Sequence, residues 1–251
     1  MAAEPAVALR SPELPPLSGG VVREGASRGG MSLRELAERV RPVELRSQQP
    51  TLPVVPGLGP LLPEGLVKGT TVAVGSAAGV GGATTLALAV AAGPSRAGAW
   101  VALVGGDGAG AWGLVAAAGL GVALERLVVV APGDRPASGW GPVVAALVEG
   151  FPIVVVGPRV PLRPGDGRRL AARLRERGGV LVRVGDAAVP SAAHVRLRVT
   201  EGEWQGVEVG AGYLRSRRVV VEATGRGAAS RLRRSELLLP GPTGEVVAVG
   251  D

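Results

Sequence analysis

The chain runs from Thr70 to Gly75 as Thr-Thr-Val-Ala-Val-Gly, then Ser-Ala-Ala-Gly-Val-Gly-Gly to Gly82, then Ala-Thr-Thr-Leu-Ala-Leu-Ala-Val to Val90. A β-branched run, a glycine-rich turn and an alanine/leucine run predict a strand, a loop and a helix. This is the layout of a phosphate-binding loop, where backbone N–H groups and a helix N-terminus cradle phosphate groups. Its charge is missing. A working loop places a lysine beside the Thr pair to neutralise the β- and γ-phosphates, and here Ala83 or Gly82 stands in that place, depending on register. Lys68 is the only lysine in the chain and precedes the strand, so no register supplies one. Gly79, Gly82, Thr84 and Thr85 therefore read as a vestigial phosphate loop, and no cofactor and no catalytic residue is expected.

The same alternation continues downstream. Strands are expected near 71–75, 100–105, 126–131, 152–156 and 180–184, with helices near 83–92, 110–118, 141–149 and 166–177. Alternating strands and helices predict an α/β fold, a mainly parallel sheet covered on both faces. Arg168, Arg169, Arg173, Arg175 and Arg177 give the last helix a basic face. After Gly185 the period changes to two. His194–Val199, Trp204–Leu214 and Arg217–Ala223 read as antiparallel strands with one wet side, at the C-terminal edge of the sheet. Glu245–Val249 is a candidate last edge strand.

Ahead of this core, residues 1–30 are rich in Pro, Gly, Ser and Ala and predict a disordered tail. Ser32-Leu33-Arg34-Glu35 is a capping-box pattern opening a short helix to about Val40, which Pro42 stops. Six prolines between 42 and 63 predict an extended connector. The resulting division is tail 1–30, helix and connector 31–63, core 64–224 and basic C-terminal tail 225–251.

Composition removes several chemistries. There is no cysteine, hence no thiol nucleophile and no thiolate metal site, and the single histidine, His194, has no pairing partner for a metal motif. The start of the chain lacks the basic-then-apolar plan of a signal peptide, and the uncharged run from Gly69 to Ser95 is broken by glycines and Pro94, so a cytoplasmic protein is expected. The formal charge of +7 is carried almost wholly by arginine and points to an anionic partner, nucleic acid or an acidic protein surface.

The segment Leu61-Leu62-Pro63-Glu64-Gly65-Leu66-Val67-Lys68-Gly69 with the strand and helix that follow resembles the opening of RecA-family ATPase cores. The Leu52-Pro53-Val54 lead-in, Glu125-Arg126-Leu127, and the stretches Arg217–Gly227 and Arg233–Pro242 resemble actinobacterial ImuA-type proteins (ImuA-prime). The resemblance runs from about residue 32 to the end and is most specific in the tail. It implies a RecA-like accessory protein of an error-prone translesion DNA synthesis complex, bound to an ImuB-like Y-family polymerase homologue and, through it, to a C-family polymerase. It also implies a cytoplasmic protein, nucleoid-associated when engaged. An ATP-dependent RecA-like recombinase and a SulA-type division inhibitor are the alternatives.

Against the RecA pattern, Ile153–Val156 runs into Gly157-Pro158 where a Mg²⁺-positioning Asp belongs, and after Val104 only Asp107 is offered for orienting a water, in a turn. Three prolines stiffen Gly157–Gly165 and Gly185–Ala193 is short, so filament-style DNA binding is not expected. Trp112 and Trp140 are candidates for capping the core or anchoring an interface. The candidate partner or DNA contacts are Arg215, Arg217, Arg218, Arg226, Arg231, Arg233 and Arg234, with a protein partner placed ahead of DNA.

Overall fold

The computed structural model describes residues 50–105, 112–131, 139–185, 193–208, 211–226 and 230–250, all within the unit Gln49–Asp251. The expected tail, the Leu33–Val40 helix, residues 42–49 of the connector and Asp107 lie outside them. A nine-stranded sheet organises this unit, in the spatial order β11-β10-β9-β8-β3-β7-β6-β4-β5. Its parallel part comprises β3 (Thr70–Ser76), β4 (Val101–Val104), β5 (Leu127–Val130), β6 (Ile153–Val156) and β7 (Val180–Val184), with β8 (Val195–Glu208) alongside β3. Antiparallel pairing then adds β9 (Ala211–Gly225), β10 (Arg233–Leu238) and β11 (Val247–Ala248). A separate two-residue pair, β1 (Thr51–Leu52) with β2 (Leu66–Val67), leads into β3. The fold is α/β as expected, with a mainly parallel sheet flanked by helices and an antiparallel C-terminal edge.

The central strands are short runs of Val, Leu, Ile and Ala because both of their faces are covered. Alternation sends Val101, Leu103, Ile153 and Val155 to one layer and Ala102, Val104, Val154 and Val156 to the other. The first layer is closed by α1 (Ala83–Arg96) and α2 (Leu114–Leu120), the second by α3 (Trp140–Gly150) and α4 (Pro164–Arg177). α1 is buried at every position from Leu86 to Ser95, which explains its apolar, nearly featureless sequence. α4 is the opposite case: Leu170 and Leu174 face the sheet while Arg168, Arg169, Arg175 and Arg177 are exposed, and Gly178 in the left-handed region ends it.

Three expectations are corrected. The proline-rich stretch, from residue 50 on, is packed rather than extended: Val55, Leu58, Leu61 and Leu62 are buried in the same core layer as α1, and Pro53 and Val54 lie against Gly93 of that helix. Proline here fixes turns instead of spacing domains, as in the 3-10 turn at Pro56–Leu58. Trp204–Leu214 is not one strand but the end of β8 and the start of β9, because the period-two pattern runs on across the reversal. The region after Gly225 is not a tail. β10 pairs with β9 over six residues, from Arg233 with Ala223 to Leu238 with Arg218, and Leu237 and Leu239 are buried. The last edge strand forms at Val247–Ala248, inside the expected range.

Candidate functional site

β3 delivers the chain into the glycine-rich turn at the carboxyl end of the sheet, between β7 and β8. Ala77 donates to the Val199 carbonyl at 2.7 Å, tying the turn to β8, and the Val80 N–H reaches back to the Ala77 carbonyl. Gly79, Gly81 and Gly82 all take positive φ, which side chains resist, so the glycines are required by the loop's shape. Gly82 is the N-cap of α1 and offers no side-chain cap; Ala83, Thr84 and Thr85 follow, half-buried, and the first turn holds no acidic residue. The strand–loop–helix layout is present, with an alanine as the first helical residue.

A cation does reach this loop, from far along the chain. Arg217 of β9 is 8% exposed, and its Nη2 donates to the Val80 carbonyl at 2.5 Å. Two glycines make the space. A Cβ on Gly82 would lie 2.6 Å from Nη1, and one on Gly202 of β8 would lie 2.5 Å from Nη2. On its other side the guanidinium stacks on Trp204, 5.6 Å from the ring centroid. Its Nε is buried with no partner among the described residues. Burial pushes its pKa below the ordinary arginine value. The guanidinium therefore braces the loop at Val80 and Gly82 from the side of the antiparallel strands.

The ends of β4 and β6 are closed as well. Trp112 is buried, donates its indole N–H to the Gly105 carbonyl at 2.6 Å, and lies 3.3 Å from where a Gly157 Cβ would stand. On the opposite face Arg183, the one charged residue in β7, is buried and donates to the carbonyls of Gly157 and, at 2.9 Å, Val160. Its partners are carbonyls, and burial pushes its pKa down. Gly157 thus sits between an indole and a guanidinium. Trp140, the first residue of α3, is buried in the other layer, so Trp112 and Trp140 both belong to the core.

The C-terminal arginines do not form one patch. Successive residues of a strand face opposite ways, so Arg215 and Arg217 share the α1 face while Arg218 lies on the wet face. There Arg218 pairs with the half-buried Glu236 and Arg234 with the exposed Glu201, each at 2.5 Å. Arg215 stacks on Tyr213 at 5.0 Å. Arg226 lies beside His194, its backbone N–H donating to the His194 carbonyl at 2.9 Å, and Arg231 is exposed while Arg233 is half-buried. Burial pushes the His194 pKa down; Glu64 raises it and Arg226 lowers it by lesser amounts. Sequence reasoning missed the special place of Arg217 and Arg183. Each carried a signal: Arg217 by its odd parity in β9, Arg183 by its isolation in an apolar strand.

Among the described residues no cluster of metal-ligating side chains occurs, and no helix is long and apolar enough to cross a membrane. A family model for the MT3502 N-terminal domain matches residues 60–191, more than half of the chain, and leaves β8 to β11 outside the match. No curated protein matches.

Proposed function

The chain belongs to the family of the MT3502 N-terminal domain, and within that family we propose that it is a non-catalytic scaffold built on a RecA-like core. The observation that carries this reading is Arg217: the loop that would cradle phosphates is engaged by the chain's own guanidinium, at Val80. Ala83 in place of a lysine and Gly157 in place of a metal-anchoring carboxylate point the same way. The ImuA-type resemblance of the β9 and β10 sequences supports a place in an error-prone translesion synthesis complex, beside an ImuB-like Y-family polymerase homologue.

The surface best suited to that partner is the outer end of the β8–β9 hairpin. Trp204, Val207, Tyr213 and Leu214 are all exposed there, Tyr213 by 66%, in a chain with only six aromatic residues. Exposed aromatic and aliphatic side chains at a strand end are the kind of anchor that dominates protein interfaces. Co-purification with an ImuB-like subunit tests this. Tyr213→Ala with Leu214→Asp should weaken association by at least about tenfold, the loss of one hot-spot residue, with an unchanged melting temperature because both side chains are exposed. Full-strength binding by the variant would move the interface elsewhere, to the Leu33–Val40 segment in the first instance.

A further inference from the structure

On the other face of the sheet a groove of about 360 Å³ runs between α3 and α4. It exists because α3 presents small residues there. Gly141 lies so close to α4 that a Cβ would stand 2.6 Å from the Asp166 carboxylate, and Ala145 follows one turn later. Ala145 and Leu170 form an apolar floor; Arg169 and Arg173, one turn apart on α4, flank it, and Arg163 stands at the N-cap of that helix. Arg173 closes one end through an ion pair with Glu149 at 3.0 Å. Asp166 is occupied in starting α4, accepting from the Arg163 N–H at 2.9 Å.

The charge here is one-sided. Between Arg163 and Arg177 six arginines face two acids, Asp166 and Glu176. Arg163 and Arg169 are exposed on the rim, and among the described residues the groove's lining brings no carboxylate beyond Asp166, with Glu149 held by Arg173. We propose that this groove docks an acidic segment of a partner protein, seating an aliphatic side chain on Ala145 and Leu170 while flanking carboxylates meet Arg163 and Arg169. Guanidinium groups pair carboxylates in a bidentate fork, and the volume lies within the range of ordinary binding clefts. A nucleic acid suits the groove less well, because no aromatic residue lines it to stack a base. The inference goes beyond the scaffold reading and uses a surface on the opposite layer from the Arg217 loop.

The test uses the full chain and a fluorescein-labelled peptide of four Glu-Glu-Leu repeats, followed by anisotropy at low and at raised salt. Saturable binding is expected, weakening with salt. It should fall at least about tenfold in R163E/R169E, with an unchanged melting temperature since both positions are exposed. A Gln-Gln-Leu peptide and an oligothymidylate of matching charge should bind more weakly than the acidic peptide. The variant R231A/R233A/R234A should bind the peptide as the unaltered protein does, which separates this groove from the C-terminal arginines. Absent binding, or equal binding by R163E/R169E, overturns the proposal. Oligothymidylate binding that is tighter than the peptide's and lost in R163E/R169E would also overturn it, making the groove a nucleic-acid site.

Discussion

Removing residues 225–251 is expected to destroy the cooperative fold of the core rather than trim an appendage. The deletion takes away β10 and β11, and with them Leu237 and Leu239, both buried in the layer under α1. Deleting a single buried leucine side chain costs about 2–5 kcal/mol, so two of them alone reach about 4–10 kcal/mol. Whole domains are stable by about 5–15 kcal/mol. The deletion also bares the backbone of β9 as an apolar edge, which invites aggregation. Urea unfolding followed by circular dichroism should show a midpoint shifted far down or no transition at all, and soluble yield should drop. A truncated protein that unfolds at the original midpoint would show that the last two strands contribute nothing. Partner mapping by this truncation would then mislead, because lost binding would report lost structure; the point variants of the hairpin avoid that.

The second large effect is expected at Gly93, in the last third of α1. An alanine in place of a mid-helix glycine ordinarily stabilises by about 1 kcal/mol. Here the sign should reverse. A Cβ on Gly93 would lie 2.5 Å from the Pro53 carbonyl oxygen and 2.6 Å from the Val54 Cα, both backbone atoms that have no side-chain freedom to yield. Overpacking of this kind costs about 1–3 kcal/mol and at times more, so Gly93→Ala should be destabilising by about 2 kcal/mol net. Gly93→Val should be worse. For a chain of this size that corresponds to a fall of roughly 4–8 °C in melting temperature. A rise in melting temperature for Gly93→Ala would mean that residues 53–54 do not pack on α1, restoring the extended connector that the prolines suggest.

The parallel core was legible because its signals are local. Val-rich runs of four or five residues, glycine turns and apolar helices recur in order, and each strand bound falls within a residue or so of its expected place. The antiparallel part was legible in period but not in extent. Alternation shows which residues share a face, yet it passes through a reversal unmarked, so Trp204–Leu214 read as one strand. Arg233–Leu238 looked like a charged tail because its arginine and glutamate side chains lie on the wet face, paired across the sheet with Glu201 and Arg218. Pairing partners more than thirty residues away, as Arg234 and Glu201 are, leave no local trace.

The phosphate-loop layout was legible down to the glycines. The arginine that meets it was not, since Arg217 is 137 residues from Val80 in sequence and reaches it only through the β3–β8–β9 register. Two details mark the contact once the register is known: Gly82 and Gly202 both lack the Cβ that would collide with the guanidinium, and Trp204 stands opposite Arg217 on β8. The closing of Gly157 by Trp112 has the same origin. The residues are ordinary in sequence, and their meeting is a property of the strand order.

ATP hydrolysis by the purified full-length chain, with Mg²⁺ and with or without single-stranded DNA, tests the scaffold account most directly. The T84A/T85A variant serves as the reference for contaminating activity. With no lysine at the loop and Arg217 engaged at Val80, phosphate release should equal that of T84A/T85A under every condition. Turnover that is stimulated by DNA and vanishes in T84A/T85A would contradict the account and make the chain an ATP-dependent member of the RecA-like class.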